Sequence, residues 1–410
     1  MRSSEEAAAR RLLSAAAVRE RAHEMLEIGL TGGLDHWRVD LDRLPETAAF
    51  VAEVIRDQYP DLKVPFHARW RHFVFGGRDL WAELALAAGE GTDARARTAF
   101  DQAIVSVLLD AGSGPGWRYR DAPTGIEAAR SEGLALASLR MFQAGAFAGP
   151  EGSLKATAAG LQGLTAEGLA EGFQVSADNP LAGLEGRAAL LRRLGHQVAA
   201  RPDLFALGHD PRPGGLYDTM KARASDGRVP APVMLEVLLE ALGPVWQDRL
   251  TLGGIDLGDT WPHPALRRDD ATDGLVPIHK LSQWLSYSLV EPLQAAGLEV
   301  VDLDGLTGLA EYRNGGLFLD MGVLALKDPG DAARDWPVSD PLVVAWRSMT
   351  VALLDRIAPL VRAELGVTAE QMPLASVLEG GTWAAGRRVA ARLRDGGGPP
   401  LKIISDGTVF

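Results

Sequence analysis

The 410-residue chain is predicted to be mainly helical, with a small accessory sheet. Three observations predict this. Apolar residues recur at three- and four-residue spacing over long windows, the period of a helix with one buried face. Alanine, leucine, arginine and glutamate, all good helix formers, are abundant. Strand signals are confined to three short segments.

In chain order, helices are expected near Glu5–Leu26, Pro45–Gln58, Asp93–Leu109, Gly125–Phe142, Gly183–Ala200, Ala231–Leu242, Ile278–Ala296 and Pro341–Leu365. Aspartate, serine or proline stands near several of the starts, where unpaired backbone amides need a cap or a residue lacking one. Pro292 should end or kink its helix, because its ring removes a backbone donor. The strand candidates are His36–Leu41, Leu298–Leu303 and Leu401–Ile404, too short for more than an accessory sheet. Gly- and Pro-rich loops are expected at Ala111–Gly116, Asp210–Gly215, Leu252–Arg267 and Asp395–Pro400. Length favours two closely packed helical subdomains, about 1–200 and 201–410, divided in the stretch Ala200–Pro230.

Hydrophobic residues make up 47% and charged residues 23%, the balance of a globular protein with a large core. The net charge of -12 disfavours a nucleic-acid partner, whose phosphates demand a basic surface, and leaves a small polar metabolite as the expected ligand. There is no cysteine, which removes thiol nucleophiles and thiolate metal sites. Charges interrupt the N-terminal stretch MRSSEEAAARRLLSAAAVRERA, so it does not read as a signal peptide, and no segment approaches the ~20 apolar residues of a membrane span. A cytoplasmic location is expected, and a homo-oligomer is compatible with the sequence.

Several clusters carry chemistry. In PFHARWRHFVF, an extended backbone would put His67, Arg69 and Arg71 on one face, a grip for phosphate or carboxylate, with Trp70 beneath; the alternative is an interdomain segment. GSGPGWRYR couples a glycine loop to Trp117 and Tyr119, flat faces for stacking or plain packing, but matches neither nucleotide fingerprint. FQVSADNP reads first as a turn, with Gln174, Asp178 and Asn179 as hydrogen-bonding groups. GDTWPHP gathers Asp259, Trp261 and His263 on a loop. In HKLSQW, Lys280 and Gln283 are three apart on a helix and share one face.

The histidines show no HExxH spacing and there is no GxSxG elbow, so neither a metal site nor a serine nucleophile is expected, and no cofactor. Carboxylate, arginine, lysine and aromatic side chains remain, a kit suited to glycosidic bond cleavage through an oxocarbenium-like centre. In LTGLAEYRNGGLFLDMGVL, Glu311, Tyr312 and Arg313 interrupt an apolar run. Such residues are costly to bury, so they form either a structural ion pair or the wall of a polar pocket.

PFHARWRHF, GPGWRY with RSEGLALASLRMF, FQVSADNPLAGLEGR, RPGGLYD, LAEYRNGGLFLDMGVL and the tail PPLKIISDGTVF span nearly the whole chain. Together they resemble the uracil catabolism protein four family, formerly a domain of unknown function. The resemblance implies a place in a uracil catabolic route that passes through a ribosylurea-type intermediate toward urea, and one step there must break the bond between ribose and urea.

A second resemblance is to the queuosine salvage glycosylases, which implies a DNA-glycosylase-like helical architecture. By motif it places Lys280, Gln283, Glu311, Tyr312, Arg313 and Arg347 (from DPLVVAWRSMTVALLDRI) at a pocket. Those relatives have aspartate where this chain has Glu311, and an acidic residue where it has Ser288. The implied activity is an N-glycoside hydrolase acting on ribosylurea, expected as its 5'-phosphate, with no metal.

Glu311 would be the catalytic carboxylate, and Arg313 would hold it ionised or bind substrate. Tyr312 and Trp284 would shape the pocket. Phosphate would fall to Lys280 with Arg69, Arg71, His72 or Arg347. Asp320, Asp178 or a water would protonate urea. A pyrimidine-ring-opening hydrolase and a noncatalytic nucleotide- or ribose-phosphate-binding partner are the alternatives.

Overall fold

The structure, a computed structural model, describes residues 2–86, 91–149, 153–206, 210–246 and 248–404. Residues 405–410 of the PPLKIISDGTVF tail lie outside them. The fold is mainly helical, as predicted. Its strands, among the described residues, form seven separate two-stranded sheets. The three predicted strand regions do not pair with one another. Trp37–Val39 pairs antiparallel with Leu324–Leu326, Glu299–Val301 parallel with Arg228–Pro230, and Lys402–Ile404 parallel with Asp335–Pro337. None of these three partners carried a strand signal of its own.

Contacts divide the chain into two discontinuous units. The first contains residues 1–67, 249–284 and 302–404, the second 68–248 and 285–301. The stretch 200–230 lies inside the second unit. Among the described residues no helix is long and apolar enough to cross a membrane.

In the first unit the helix Pro341–Leu365, with the predicted bounds, is buried on most sides and packs against Ala15–Leu30 and Leu44–Gln58. Trp346 on it stacks on Trp37, 6.5 Å between rings, and each indole N–H donates to a carbonyl, Trp346 to Gly315 at 3.0 Å and Trp37 to Leu342 at 2.9 Å. Gly315 is dictated by that contact, since a Cβ there would lie 2.8 Å from the Trp346 ring. The helix expected over Glu5–Leu26 is two helices, Arg2–Leu12 and Ala15–Leu30, because the Ser14 hydroxyl caps the second by accepting from the Ala17 amide at 3.2 Å.

The second unit is built on Thr92–Leu108, Arg130–Gln143, Leu184–Ala200 and Ala231–Leu242. The helix Arg130–Gln143 starts later than predicted because Glu127–Ala128 pairs as a strand with Tyr119–Arg120. Pro292 does not end its helix, which runs Lys280–Ala295. Its missing N–H would have bonded the Ser288 carbonyl one turn back, and that carbonyl instead accepts the Trp70 indole N–H at 2.6 Å.

Candidate functional site

The first unit gathers the charged residues that face one another. Glu311 precedes the helix Tyr312–Asp320 and caps it, one carboxylate oxygen accepting from the Arg313 amide and the other from the Asn314 amide, both at 2.6 Å. Its approach is clamped from two sides. Fully buried Gln283 accepts from the Thr307 amide at 3.0 Å and donates to the Thr307 hydroxyl, while the Asn314 side chain donates to the Leu309 carbonyl at 3.1 Å. The carboxylate is therefore fixed by backbone, with a second lone pair on each oxygen beyond the capping bonds.

Burial pushes the Glu311 carboxyl above the usual range, against the pull of the two amides and of the Lys280 and His67 charges. Those two side chains, and not Arg313, supply the positive charge at Glu311. The alternative of a Glu311–Arg313 ion pair is not formed, because the Arg313 guanidinium donates to the Gly397 carbonyl at 2.8 Å and lies over the Tyr312 ring at 4.9 Å.

Lys280 is held by a brace. Buried Arg347 makes two parallel bonds to Asp259, at 2.8 and 2.9 Å. Asp259 also accepts the Trp261 indole N–H at 2.6 Å and the Lys280 backbone amide at 3.0 Å, which fixes the first residue of the Lys280–Ala295 helix. Burial raises the Asp259 carboxyl, but the Arg347 charge and these bonds outweigh it and hold it well below the carboxylate range. Arg347 and Gln283 thus position other residues, and they leave the proposed set of ligand contacts.

Beyond Glu311 stands His67, its Nδ1 2.5 Å from a Glu379 carboxylate oxygen and its backbone N–H donating to the Ala375 carbonyl at 2.9 Å. Trp284 and Trp383 flank the imidazole at 6.2 and 5.6 Å. Glu379 and Trp383 lie on a π-helical segment, Val377–Trp383, a widened turn of the kind enriched at functional sites. Gly380 and Gly381 let that segment press on the helix Leu44–Gln58, since Cβ atoms there would meet Tyr59 at 3.0 Å and Val51 at 2.9 Å. Glu379 and Trp383 also line a cleft of about 300 Å³ with Gln58, Ala384, Arg387 and Arg388. Arg387 lies over Trp383 at 4.8 Å, and Arg388 pairs with Asp57 at 2.7 Å.

The other expected ligand contacts lie in the second unit and are committed inside it. Arg69–Phe73 is a 3-10 turn and not an extended strand, so the expected alternating face does not form. Arg69 is fully buried, bonded to Asp110 at 2.6 Å and to the Ser106 hydroxyl at 2.7 Å, with His72 against the same guanidinium. Arg71 pairs with Glu291 at 2.6 Å. The acidic residue replaced by Ser288 leaves no gap, because the Ser288 hydroxyl accepts the Arg69 amide at 2.9 Å. Trp117 is core, stacked on Phe173 and donating to its carbonyl at 2.9 Å. Asn179 and Gln174 serve the backbone of Arg118 and Arg120 through side-chain bonds of 2.8 to 3.0 Å.

Of the proton-donor candidates, Asp178 is exposed, and Asp320 in the first unit pairs with Arg394. Arg69→Ala is expected to lower stability by about 3–5 kcal/mol in urea unfolding, because it leaves the Asp110 carboxylate, its side chain 7% exposed, without its cation. A ligand-contact role would instead leave the unfolding midpoint nearly unchanged.

His67 was singled out only for its alternation with Arg69, and Glu379 not at all. The signal available in the sequence was LEGGTW, whose paired glycines read as a helix breaker but mark a helix pressed close to a neighbour.

The family described as "Protein of unknown function (DUF1688)" matches residues 11–410. The chain is 40% identical over 411 positions to "Protein urg3" of Schizosaccharomyces pombe, covering 98% of each. It is 36% identical over 411 positions to "Uracil catabolism protein 4" of Lachancea kluyveri, covering 92% of each.

Proposed function

The chain belongs to the family described as a protein of unknown function, DUF1688, and from that premise we propose that it is an N-glycoside hydrolase of uracil catabolism, splitting ribosylurea 5'-phosphate into urea and ribose 5-phosphate. A relative named for uracil catabolism supports the pathway. The motif resemblance to nucleoside-type glycosylases supports the bond. The observation that carries the reading is Glu311, a buried carboxylate aimed by two amides and faced by Lys280 and His67.

Cleaving the ribosyl C1'–N bond develops positive charge on the sugar, which a fixed carboxylate in a low-dielectric site stabilises without reorganising. Glu311 also orients a water and takes its proton as oxygen adds to C1'. A carboxyl raised by burial is the stronger base, and the Lys280 charge opposes that rise. Tyr312 and Trp284 frame the sugar, and Lys280 is the cation offered to the 5'-phosphate.

The test is urea release from ribosylurea and from its 5'-phosphate by the purified protein. Turnover is expected, faster with the phosphate, as one charge-assisted contact predicts. No urea from either compound overturns the hydrolase reading and leaves ring opening or a noncatalytic binding role.

A further inference from the structure

Breaking a C–N bond to urea requires a proton for the departing nitrogen, and the acids suggested by sequence, Asp320 and Asp178, are an ion-paired residue and an exposed turn residue. We propose that His67 is that acid, with Glu379 as its positioning residue. This inference rests on the glycosidase reading of Glu311.

Four observations carry it. His67 is 5% exposed, so its donors and acceptors must be accounted for. Its Nδ1 is bonded to Glu379, whose carboxylate can only accept, so Nδ1 carries the hydrogen. Among the described residues no hydrogen bond occupies Nε2, which is therefore the nitrogen left for a ligand. Finally, the imidazole lies 6.2 Å from the Trp284 ring, one helical turn from Lys280, and its charge, like that of Lys280, acts on Glu311.

The flanking indoles of Trp284 and Trp383 add a π environment that tolerates a cation. The constellation is a histidine oriented by one carboxylate, Glu379, with a second carboxylate, Glu311, in the same unit.

The step balances as follows. The C1'–N bond breaks with its electron pair going to nitrogen, which takes the Nε2 proton and leaves as neutral urea. Water oxygen bonds C1', and its proton passes to Glu311. Net, one water is consumed, and Glu311 returns its proton through solvent to His67. Glu379 holds the ring in register through its bond to Nδ1.

A substrate whose leaving group departs without a proton separates this role from every other. Urea release from the ribosylurea substrate and fluoride release from the ribosyl fluoride of the same configuration and phosphorylation state would be measured for wild type, His67→Asn, Glu379→Gln and Glu311→Gln. Folding of each would be checked by melting temperature. Compared on the pH plateau of each protein, His67→Asn and Glu379→Gln are expected to lower urea release by ~10²-fold or more while fluoride release stays within about 3-fold. Glu311→Gln is expected to lower both.

Parallel loss of both reactions in folded His67 or Glu379 variants overturns the acid role and leaves Glu311 as the site's centre. Unchanged urea release does the same. Turnover of neither compound by wild type overturns the glycosidase reading itself and this inference with it. Should His67→Asn fail to fold, Glu379→Gln and Glu379→Asp read the same split between leaving groups.

Discussion

Glu311→Gln is expected to lower urea release about 10³-fold while leaving the protein folded, the loss of a positioned carboxylate that serves both as base and as electrostatic partner. The substitution is nearly isosteric and keeps one oxygen to accept from the helix Tyr312–Asp320. It turns the other acceptor into a donor facing an amide, an expense of about 1 kcal/mol. Against this, the variant no longer ionises a buried acid. A carboxyl raised by burial binds its proton more tightly folded than unfolded, so wild-type stability falls as pH rises from the unfolded glutamate value, ~4.3, through the raised folded value. At neutral pH the two effects oppose, and the melting temperature should move by only a few degrees.

The purely structural account of Glu311, a helix cap and no more, predicts the reverse, lower stability with catalysis intact. A second readout follows from Lys280. Removing its charge as Lys280→Met takes away one of the two side chains that favour the ionised carboxylate, so the acid limb of the rate profile should move to higher pH.

What the sequence revealed depended on whether a residue's partner was near in the chain. Ala231–Leu242 and Pro341–Leu365 have the predicted bounds because their apolar faces are written in local periodicity, and proline sits in their first turns. The helix Tyr312–Asp320 was not predicted, because Gly315 and Gly316 lower helix propensity at its centre, and the reason for Gly315 is an indole 31 residues away. The charged triplet was visible as an anomaly. Its resolution was not, since Glu311 turns to its own helix while Arg313 turns to Gly397.

The sequence likewise offered arginines as a class of anion ligands. Arg69, Arg71 and Arg347 all have carboxylate partners far off in the chain, at Asp110, Glu291 and Asp259, and only the fold distinguishes such a pair from a binding site. His67 and Glu379, 312 residues apart, had no local signal that would join them.

Asp259→Asn is expected to be among the most destabilising single changes in the first unit, by about 3–5 kcal/mol in urea unfolding at pH 7. Replacing both members of a buried ion pair with apolar groups can be neutral, but removing one leaves the other without compensation, and Arg347 is only 1% exposed. Asparagine also loses one of the acceptors that now serve Arg347, the Trp261 indole and the Lys280 amide together.

The sign of the pH dependence identifies the source of the effect. Because the Asp259 pKa is held far below its unfolded value of ~3.9, the carboxylate's contribution is fully present above that value and is lost as pH falls below it toward the folded pKa. The stability gap between wild type and variant should therefore be constant from pH 7 down to about 5 and shrink below 4, even as other carboxylates titrate in both proteins. A gap that stays constant through that range would mean that Asp259 acts through shape and neutral hydrogen bonds, and that the brace behind Lys280 is not electrostatic.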